Sequence, residues 1–426
     1  MIHRLFSFLK VIDHYPRDVS DKTIVFSCHD ADRSMQEGEK YYSPFLEGVK
    51  FLVNDMGYEP LNLSHPFAVL PSYLIKDDSI TINYRVLLFR FIAASTKFMN
   101  SSQRRTELRI KIETMFYRKL LQKISPKIIF SIQPPEGLCK AARSLDVVIV
   151  ELMHGTNVSS TDKLFSDHMS LSDEFLPNFI LSFDDCTHNT FSEMCIGRNI
   201  TALRSYDPWY HFLQYNKDKM EASSLKPIGI KFKKRVLITP QWGYDGERES
   251  LSGVIPNGIM HPELEAVLTD KGNEHIFFNI RMHPIQRIRP WYKHHRDYFE
   301  ALASRLRNVE VSYSSIAPLP VLLEEVDCHI TMCSSAVGEA DVANIPSLLL
   351  CPTLHEGGAH FGFFRELERG GCVSFGYLDR NQISNWIQSA RIRPDGDKVI
   401  YDIDKIQSEL TDFYANLIEK PGTLLN

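Results

Sequence analysis

Arginine, histidine, serine and acidic residues stand just past several apolar runs of this sequence, which is where an α/β protein keeps its chemistry. The segment Phe277–Arg287, FFNIRMHPIQR, passes from a mostly apolar run directly into Arg281, Met282, His283 and Pro284. Arg281 and His283 are two apart and share a face if the strand persists, while Pro284 forbids further ladder pairing. Both side chains can donate to a phosphate, and Arg287 and Arg289 follow closely. The plain alternative is a structural histidine before a proline kink, followed by a solvated basic run.

Four further run ends carry reactive residue types. After Cys328–Met332 come Cys333-Ser334-Ser335-Ala336-Val337-Gly338-Glu339. Two hydroxyls and unpaired amides at a helix start favour an anion, and Glu339 one turn in could hold ribose hydroxyls. The same residues also read as an ordinary helix cap and first-turn acid. After Arg235–Thr239, Gly243 and Gly246 flank Tyr244-Asp245, so that loop amides can face a ligand and Asp245 can serve as nucleophile, base or hydroxyl ligand, or simply close an Asp-Gly turn. The run Val147–Glu151 leads into Leu152-Met153-His154-Gly155. A carboxylate ending a buried strand is costly unless paired; Glu151 could be a general acid or base, its pKa raised by burial, or could anchor the loop, and Gly155 would let a ligand approach His154. His355, in the Gly-rich loop after Ser347–Cys351, is a lesser candidate; Asp184-Asp185 lacks DxD spacing and reads as a surface turn.

To position these residues the chain must alternate short buried strands with helices, and the pattern does so. In the first half it predicts strands at Thr23–Ser27, Lys127–Ser131, Val147–Glu151, Asn178–Ser182 and Thr201–Arg204, with helices over Ser43–Met56, Thr106–Lys123 and Gly137–Ser144. After the polar, Lys-rich stretch Asn216–Lys234 the alternation resumes with strands Arg235–Thr239, Ile276–Ile280, Val309–Ser312, Cys328–Met332, Ser347–Cys351 and Cys372–Phe375. Helices are predicted at His261–Leu268, Arg296–Leu306, Leu319–Glu325, Val337–Ala343, Asn381–Ala390 and Asp402–Ile418, the last long enough to cross back over the first domain. The expected fold is α/β: two tandem Rossmann-like domains, residues 1–225 and 226–400, facing a cleft, with a crossover helix and tail over 401–426. In such sheets ligands bind beyond the carboxyl ends of the strands.

Composition narrows the class. The 426 residues are 43% hydrophobic and 24% charged with a formal net charge of −5, so globular order is expected and nothing global argues for nucleic acid. Eight scattered cysteines form no CxxC pair, which points to free thiols in a reducing cytosol and predicts no metal site. The N-terminus lacks a small-residue cleavage site and reads as unprocessed. No uncharged window reaches about 18 residues. The apolar stretch Arg85–Phe98 is broken by Arg90 and Lys97 and reads as a core or interface helix, with a membrane-surface helix as the alternative.

The segments VELMHGTN, RMHP and SSAVGEA, in this order in two Rossmann-like halves, resemble GT-B glycosyltransferases, and more narrowly the bacterial capsule and lipopolysaccharide enzymes; the HP and Ser motifs are also similar to those of sialyl- and Kdo-type transferases that use CMP-sugars. Motif identity covers about twenty residues, the layout most of the chain. The resemblance implies a nucleotide-sugar co-substrate, no other cofactor, held mainly by the C-terminal domain, and a glycan or lipid-linked glycan acceptor held by the N-terminal one. Arg281 and His283 would contact donor phosphates, Ser334 and Ser335 would bind phosphate, Glu339 would bind ribose, and Gly243 would shape the donor loop. Glu151, His154 and Asp245 would line the cleft at the transferred sugar. A metal-independent, cytoplasmic enzyme with optional peripheral membrane association follows. Asp245-Gly246 lies in the second domain, where the sialyltransferase acidic-Gly motif does not, so CMP-, UDP- and GDP-sugars all remain open. Two alternatives stand beside this: a teichoic-acid-like polyol-phosphate transferase with a CDP-linked donor, and a non-catalytic nucleotide-binding scaffold.

Overall fold

Buried strands organise the molecule. A computed structural model describes residues 8, 10–15, 20–86, 102–153, 158, 163–215, 232–246, 251–392 and 403–424. The chain divides into two compact units: Met1–Thr156, Lys163–Asn216 and Tyr401–Asn426 form one, and Asn157–Asp162 with Lys217–Ile400 the other.

In the first unit the strands are β1 (Thr23–Cys28), β2 (Met35–Glu37), β3 (Lys40–Tyr42), β4 (Glu59–Ser64), β5 (Ser79–Ile80), β6 (Ile128–Ser131), β7 (Val148–Leu152), β8 (Phe179–Ser182) and β9 (Thr201–Arg204). Seven of them form a parallel sheet in the order β5-β4-β1-β6-β7-β8-β9, and β2 and β3 make a separate hairpin. All six residues of β1 are buried, as a central parallel strand covered on both faces requires. The helix Ile403–Glu419 adds Ile406, Leu410, Tyr414, Leu417 and Ile418 to the core around β1, β6, β7 and β8, so the last helix does return to the first unit.

The second unit contains β10 (Lys234–Thr239), β11 (Ile276–Ile280), β12 (Val309–Glu310), β13 (Cys328–Thr331), β14 (Ser347–Leu349) and β15 (Val373–Phe375), all parallel, in the order β12-β11-β10-β13-β14-β15. Counted in chain order among its own strands, each sheet begins 3-2-1-4-5-6, the Rossmann order. The expected pair of Rossmann-like halves is therefore present. His329, wholly buried in β13, joins three strands by bonding Thr239 Oγ1 of β10 at 2.8 Å and Ser347 Oγ of β14 at 3.0 Å.

Local details differ from the sequence reading. The sequence reading places no strand at β4, which contains Pro60, a residue that strands disfavour. Yet Glu59 donates to Lys22 O and Asn62 to Asp78 O, so by alternation the missing donor of Pro60 faces the β5 side, ahead of the pairing that begins at Asn62. The predicted strand Val309–Ser312 stops at Glu310, whose carboxylate accepts from the Tyr313 and Ser314 amides and starts a helix over Ser312–Ile316. Asp184-Asp185 is not a surface turn: Asp184 caps the helix Asp185–Met194, accepting from Thr187 N at 2.8 Å. Of the stretch 85–98 only residues 85 and 86 are described, and among the described residues no helix is long and apolar enough to cross a membrane.

Because Leu410 is 1% exposed within the first unit's core, Leu410→Ala is expected to cost about 2–5 kcal/mol in urea unfolding, with the solvent-facing Glu409→Ala near zero as the control.

Candidate functional site

At the carboxyl edge of the second sheet, the loops after β10, β11 and β13 are tied together by side chains. The strand order reverses between β10 and β13, which is where doubly wound sheets open a crevice. Gln241, just past β10, bridges that point: its Oε1 accepts from the Cys333 amide at 3.0 Å and from the Cys333 thiol at 2.8 Å. A small cleft over these strand ends is lined by Pro240, Gln241, Ile259, Met260, His261 and Met332.

The β10 loop turns on glycine. Gly243 has φ +101° and Gly246 φ +94°, both in the region that favours glycine. Between them Tyr244 is buried and Asp245 exposed. Gly258 packs so closely on the Asp245 backbone that an added Cβ would lie 2.9 Å from its Cα, which fixes where this acid is presented.

The β11 loop carries Arg281 and His283. Arg281 Nη1 donates to Ser314 O at 2.8 Å and to Ala317 O, anchoring the end of the helix Ser312–Ile316. Burial pulls the Arg281 pKa down to about 10, opposed by the negative charge of Glu339 in the helix that follows the β13 loop. The structure thus brings Arg281 and Glu339 into electrostatic contact. His283 is the N-cap of the helix Pro284–Ile288: its Nδ1 accepts from Ile285 N at 3.2 Å, and its own amide donates to Gln286 Oε1 at 2.9 Å. Since Nδ1 accepts, the neutral ring carries its proton on Nε2 and is a donor there. Pro284 therefore does more than end a strand, for it occupies the first helical position, where a missing N–H costs nothing.

Gln286 extends this arrangement. It is wholly buried, and its Nε2 donates to His295 Nδ1 at 2.9 Å. His295 is also wholly buried; burial first, then the charges of His294 and Arg296, push its pKa down to about 4. Its proton consequently resides on Nε2, which lies 3.9 Å from Asp245 Oδ2. His294, Asp245 and His295 have ligand atoms within 4.8 Å of one another, a spacing a cation could use. The Gln286 amide argues for a different reading. It leaves the His295 proton on Nε2, where a cation ligand would need a lone pair, and at 3.9 Å from Asp245 Oδ2 the ring is a neighbour of the carboxylate beyond hydrogen-bond distance. His295 and Gln286 escaped the sequence reading because they sit inside what looks like a solvated basic run.

In the β13 loop, Ser334 Oγ accepts from Ala336 N at 3.3 Å, and Ser335 precedes the helix Ala336–Val342 without a side-chain cap bond. Arg281, His283, Ser334, Ser335, Glu339, Gly243 and Asp245 all belong to one edge of one sheet. His355 lies past β14, where its Nε2 meets Gly376 O at 3.0 Å and its ring stacks on Tyr377.

In the first unit, Glu151 lies inside β7 rather than past its end, opposite Ser131 and Ile180. It is buried and 3.5 Å from His168 Nε2; although burial alone would lower the His168 pKa, the hydrogen bond and charge of Glu151 raise it. Glu151 is thus a paired acid. His154 lies outside the described residues. A cluster absent from the sequence reading lies past β1 and β4: His29, whose Nδ1 accepts from Ala31 N at 3.1 Å, Arg33, and His65. Burial, then the charges of His29 and Arg33, hold the His65 pKa well below its usual value. The available signal was the dipeptide His65-Pro66, which follows β4, the second strand of its sheet in chain order, just as His283-Pro284 follows β11, the second of its own.

No protein-family model matches the chain, and no curated protein matches its sequence. Solved structures do match in fold. The UDP-GlcNAc 2-epimerase from Neisseria meningitidis bound to UDP-GlcNAc aligns with TM-score 0.54 and 14% identity over 92% of this chain and 100% of its own. The S. aureus MnaA–UDP structure aligns at 0.51 and 13%, over 94% and 97%. A histidine-to-asparagine variant of the wall teichoic acid polymerase TagF with CDPG aligns at 0.51 and 13%, over 96% and 88%. At these identities the likeness is one of fold.

His295 and His329, the latter with a pKa held near 3 by burial, are neutral when folded and ordinary when unfolded. From about pH 6.5 down to about 4 the unfolded chain binds protons that the native one refuses, so stability must fall on acidification through that window. Urea midpoints are expected to drop between pH 7 and pH 5, and to drop less in His295→Asn, whose Oδ1 can still accept from Gln286. An unchanged slope in the variant would show that His295 does not titrate as described.

Proposed function

We propose that the protein is a glycosyltransferase that takes a nucleotide-sugar donor on the carboxyl edge of its second unit and transfers the sugar to a surface glycan of the capsule or lipopolysaccharide kind. The observation that carries this reading is the convergence of Arg281, His283, Ser334, Ser335, Glu339 and Asp245 on the loops flanking the β10–β13 switch point. Support also comes from the fold likeness to structures holding UDP, UDP-GlcNAc and CDPG.

Glycosyl transfer leaves charge on a nucleotide phosphate, and a site that stabilises this charge in place lowers the barrier. His283 Nε2–H, oriented by the Ile285 amide at Nδ1, is a donor for that phosphate. The half-buried Arg281 belongs to the same loop, and the Ser334–Ser335 turn offers hydroxyls and amides on the other side of β10. Glu339, in contact with the Arg281 field, takes ribose hydroxyls. Asp245 accepts the proton of the incoming acceptor hydroxyl, with His295 Nε2 3.9 Å from its carboxylate. Glu151, engaged by His168, holds the β7 region and receives no reacting role.

A second reading, a polyol-phosphate transferase with a CDP-linked donor, is favoured by the likeness to the teichoic acid polymerase. The two separate in a thermal-shift panel of CMP, UDP, GDP and CDP followed by the CDP-linked polyol. A bound nucleotide at about 100-fold over its Kd adds about 2.7 kcal/mol of stability, and His283→Ala is expected to remove most of that gain. Stabilisation by a CDP-linked polyol but by no nucleotide sugar selects the second reading. No response to any nucleotide overturns both.

Asp245→Asn is expected to keep nucleotide binding while lowering turnover about 10²–10⁴-fold, read as a fall in kcat with little change in donor KM. A variant with full kcat would remove Asp245 from the reaction.

A further inference from the structure

Past the last paired residues of β13 and β14, Thr331 and Leu349, the same register brings Cys333 next to Cys351. The Cys351 amide donates to Met332 O at 3.2 Å, which keeps the two segments side by side. Neighbouring strands lie about 4.8 Å apart, within the Cα separation a disulfide spans, and in-register side chains of a parallel pair leave the sheet on the same face. Both sulfurs indeed meet one group: the Tyr244 hydroxyl lies 3.3 Å from Cys351 Sγ and 3.6 Å from Cys333 Sγ. Cys333 is half-buried and Cys351 buried, and neither takes part in the transfer chemistry above.

From this register and the shared tyrosine we propose that Cys333 and Cys351 form an oxidant-sensitive dithiol that closes to an intramolecular disulfide with hydrogen peroxide. The surroundings assign the two sulfurs different parts. Cys351 Sγ is 3.0 Å from Thr353 Oγ1 and accepts from Tyr244. The neighbouring Cys333 thiol, then these hydroxyls and the Thr353 amide, hold the Cys351 pKa down to about 6 against its burial. Thiolate is the nucleophilic form. The Cys333 thiol donates to Gln241 Oε1 at 2.8 Å.

In the first step the Cys351 thiolate attacks one peroxide oxygen, the O–O bond breaks, and hydroxide leaves with Cys351 as the sulfenic acid. In the second, Cys333 sulfur attacks Cys351 sulfur, the S–O bond breaks, and the Cys333 proton leaves with the departing oxygen as water. The sulfurs lose two electrons and the peroxide gains them. Closure removes the thiol donor that Gln241 accepts from at the β10–β13 switch point.

The test uses the full chain, treated with hydrogen peroxide, then denatured, alkylated and mapped by mass spectrometry. The expected product is a Cys333–Cys351 crosslinked peptide, lighter by two hydrogens, that dithiothreitol restores. In Cys333→Ser, or Cys333→Ala should the serine variant melt early, the crosslink is lost and dimedone captures a sulfenic acid at Cys351. Crosslinks among other cysteines, or oxidation elsewhere with Cys333 and Cys351 still alkylatable, would overturn the proposal. No nucleotide enters this experiment, so its outcome stands apart from that of the binding panel.

Discussion

The buried amide of Gln286 is the constraint on which the second unit's edge depends. Its oxygen takes the His283 N–H and its nitrogen supplies the hydrogen bond to His295 Nδ1. Neither ring can then choose its tautomer freely. His283, with Nδ1 accepting from Ile285, presents a donor at Nε2; His295, with Nδ1 accepting from Gln286, carries its proton on Nε2, 3.9 Å from Asp245 Oδ2. A neutral amide thereby ties the segment after β11 to the helix Lys293–Arg305, whose His295 ring lies 3.9 Å from Asp245 of the β10 loop. Such a buried chain is stable only while each member keeps its partner, because an orphaned buried donor or acceptor costs about 1–3 kcal/mol.

Other bonds at this edge have the same character. Gln241 holds the β13 loop through the Cys333 amide, Arg281 holds the helix end at Ser314 and Ala317, and His329 joins three strands beneath them. Each spans a strand boundary, so the loops are placed by the sheet rather than by their own preferences. The first unit repeats the topology with different contents: His65-Pro66 occupies the position of His283-Pro284, but the His65 ring is buried and kept neutral beside His29 and Arg33. One fold thus carries two differently tuned edges, and the function must be argued from each edge separately.

The fold was largely legible in the sequence because buried parallel strands read as continuous apolar runs; β11 and β9 occupy the very residues expected. Where the reading failed, a side chain overrode the pattern. Pro60 fits β4 because of the edge its missing donor faces, and Glu310 turns a strand into a helix by capping it. The site was legible only in part. Types and spacing singled out Arg281, His283 and Ser334, all close to a strand end. They could not show that Glu151 pairs with His168, or that Gln286 holds both His283 and His295, since those links depend on how elements distant in pattern pack together.

The central claim is that the loops after β10, β11 and β13 receive the phosphate of a nucleotide. A crystal structure with a nucleoside diphosphate bound tests it most directly. The account predicts a phosphate oxygen about 3 Å from His283 Nε2 and hydrogen-bonded to the Ser334–Ser335 turn, with the ribose near Glu339. A nucleotide seated away from this edge, or loops left untouched by a saturating nucleotide, would contradict it.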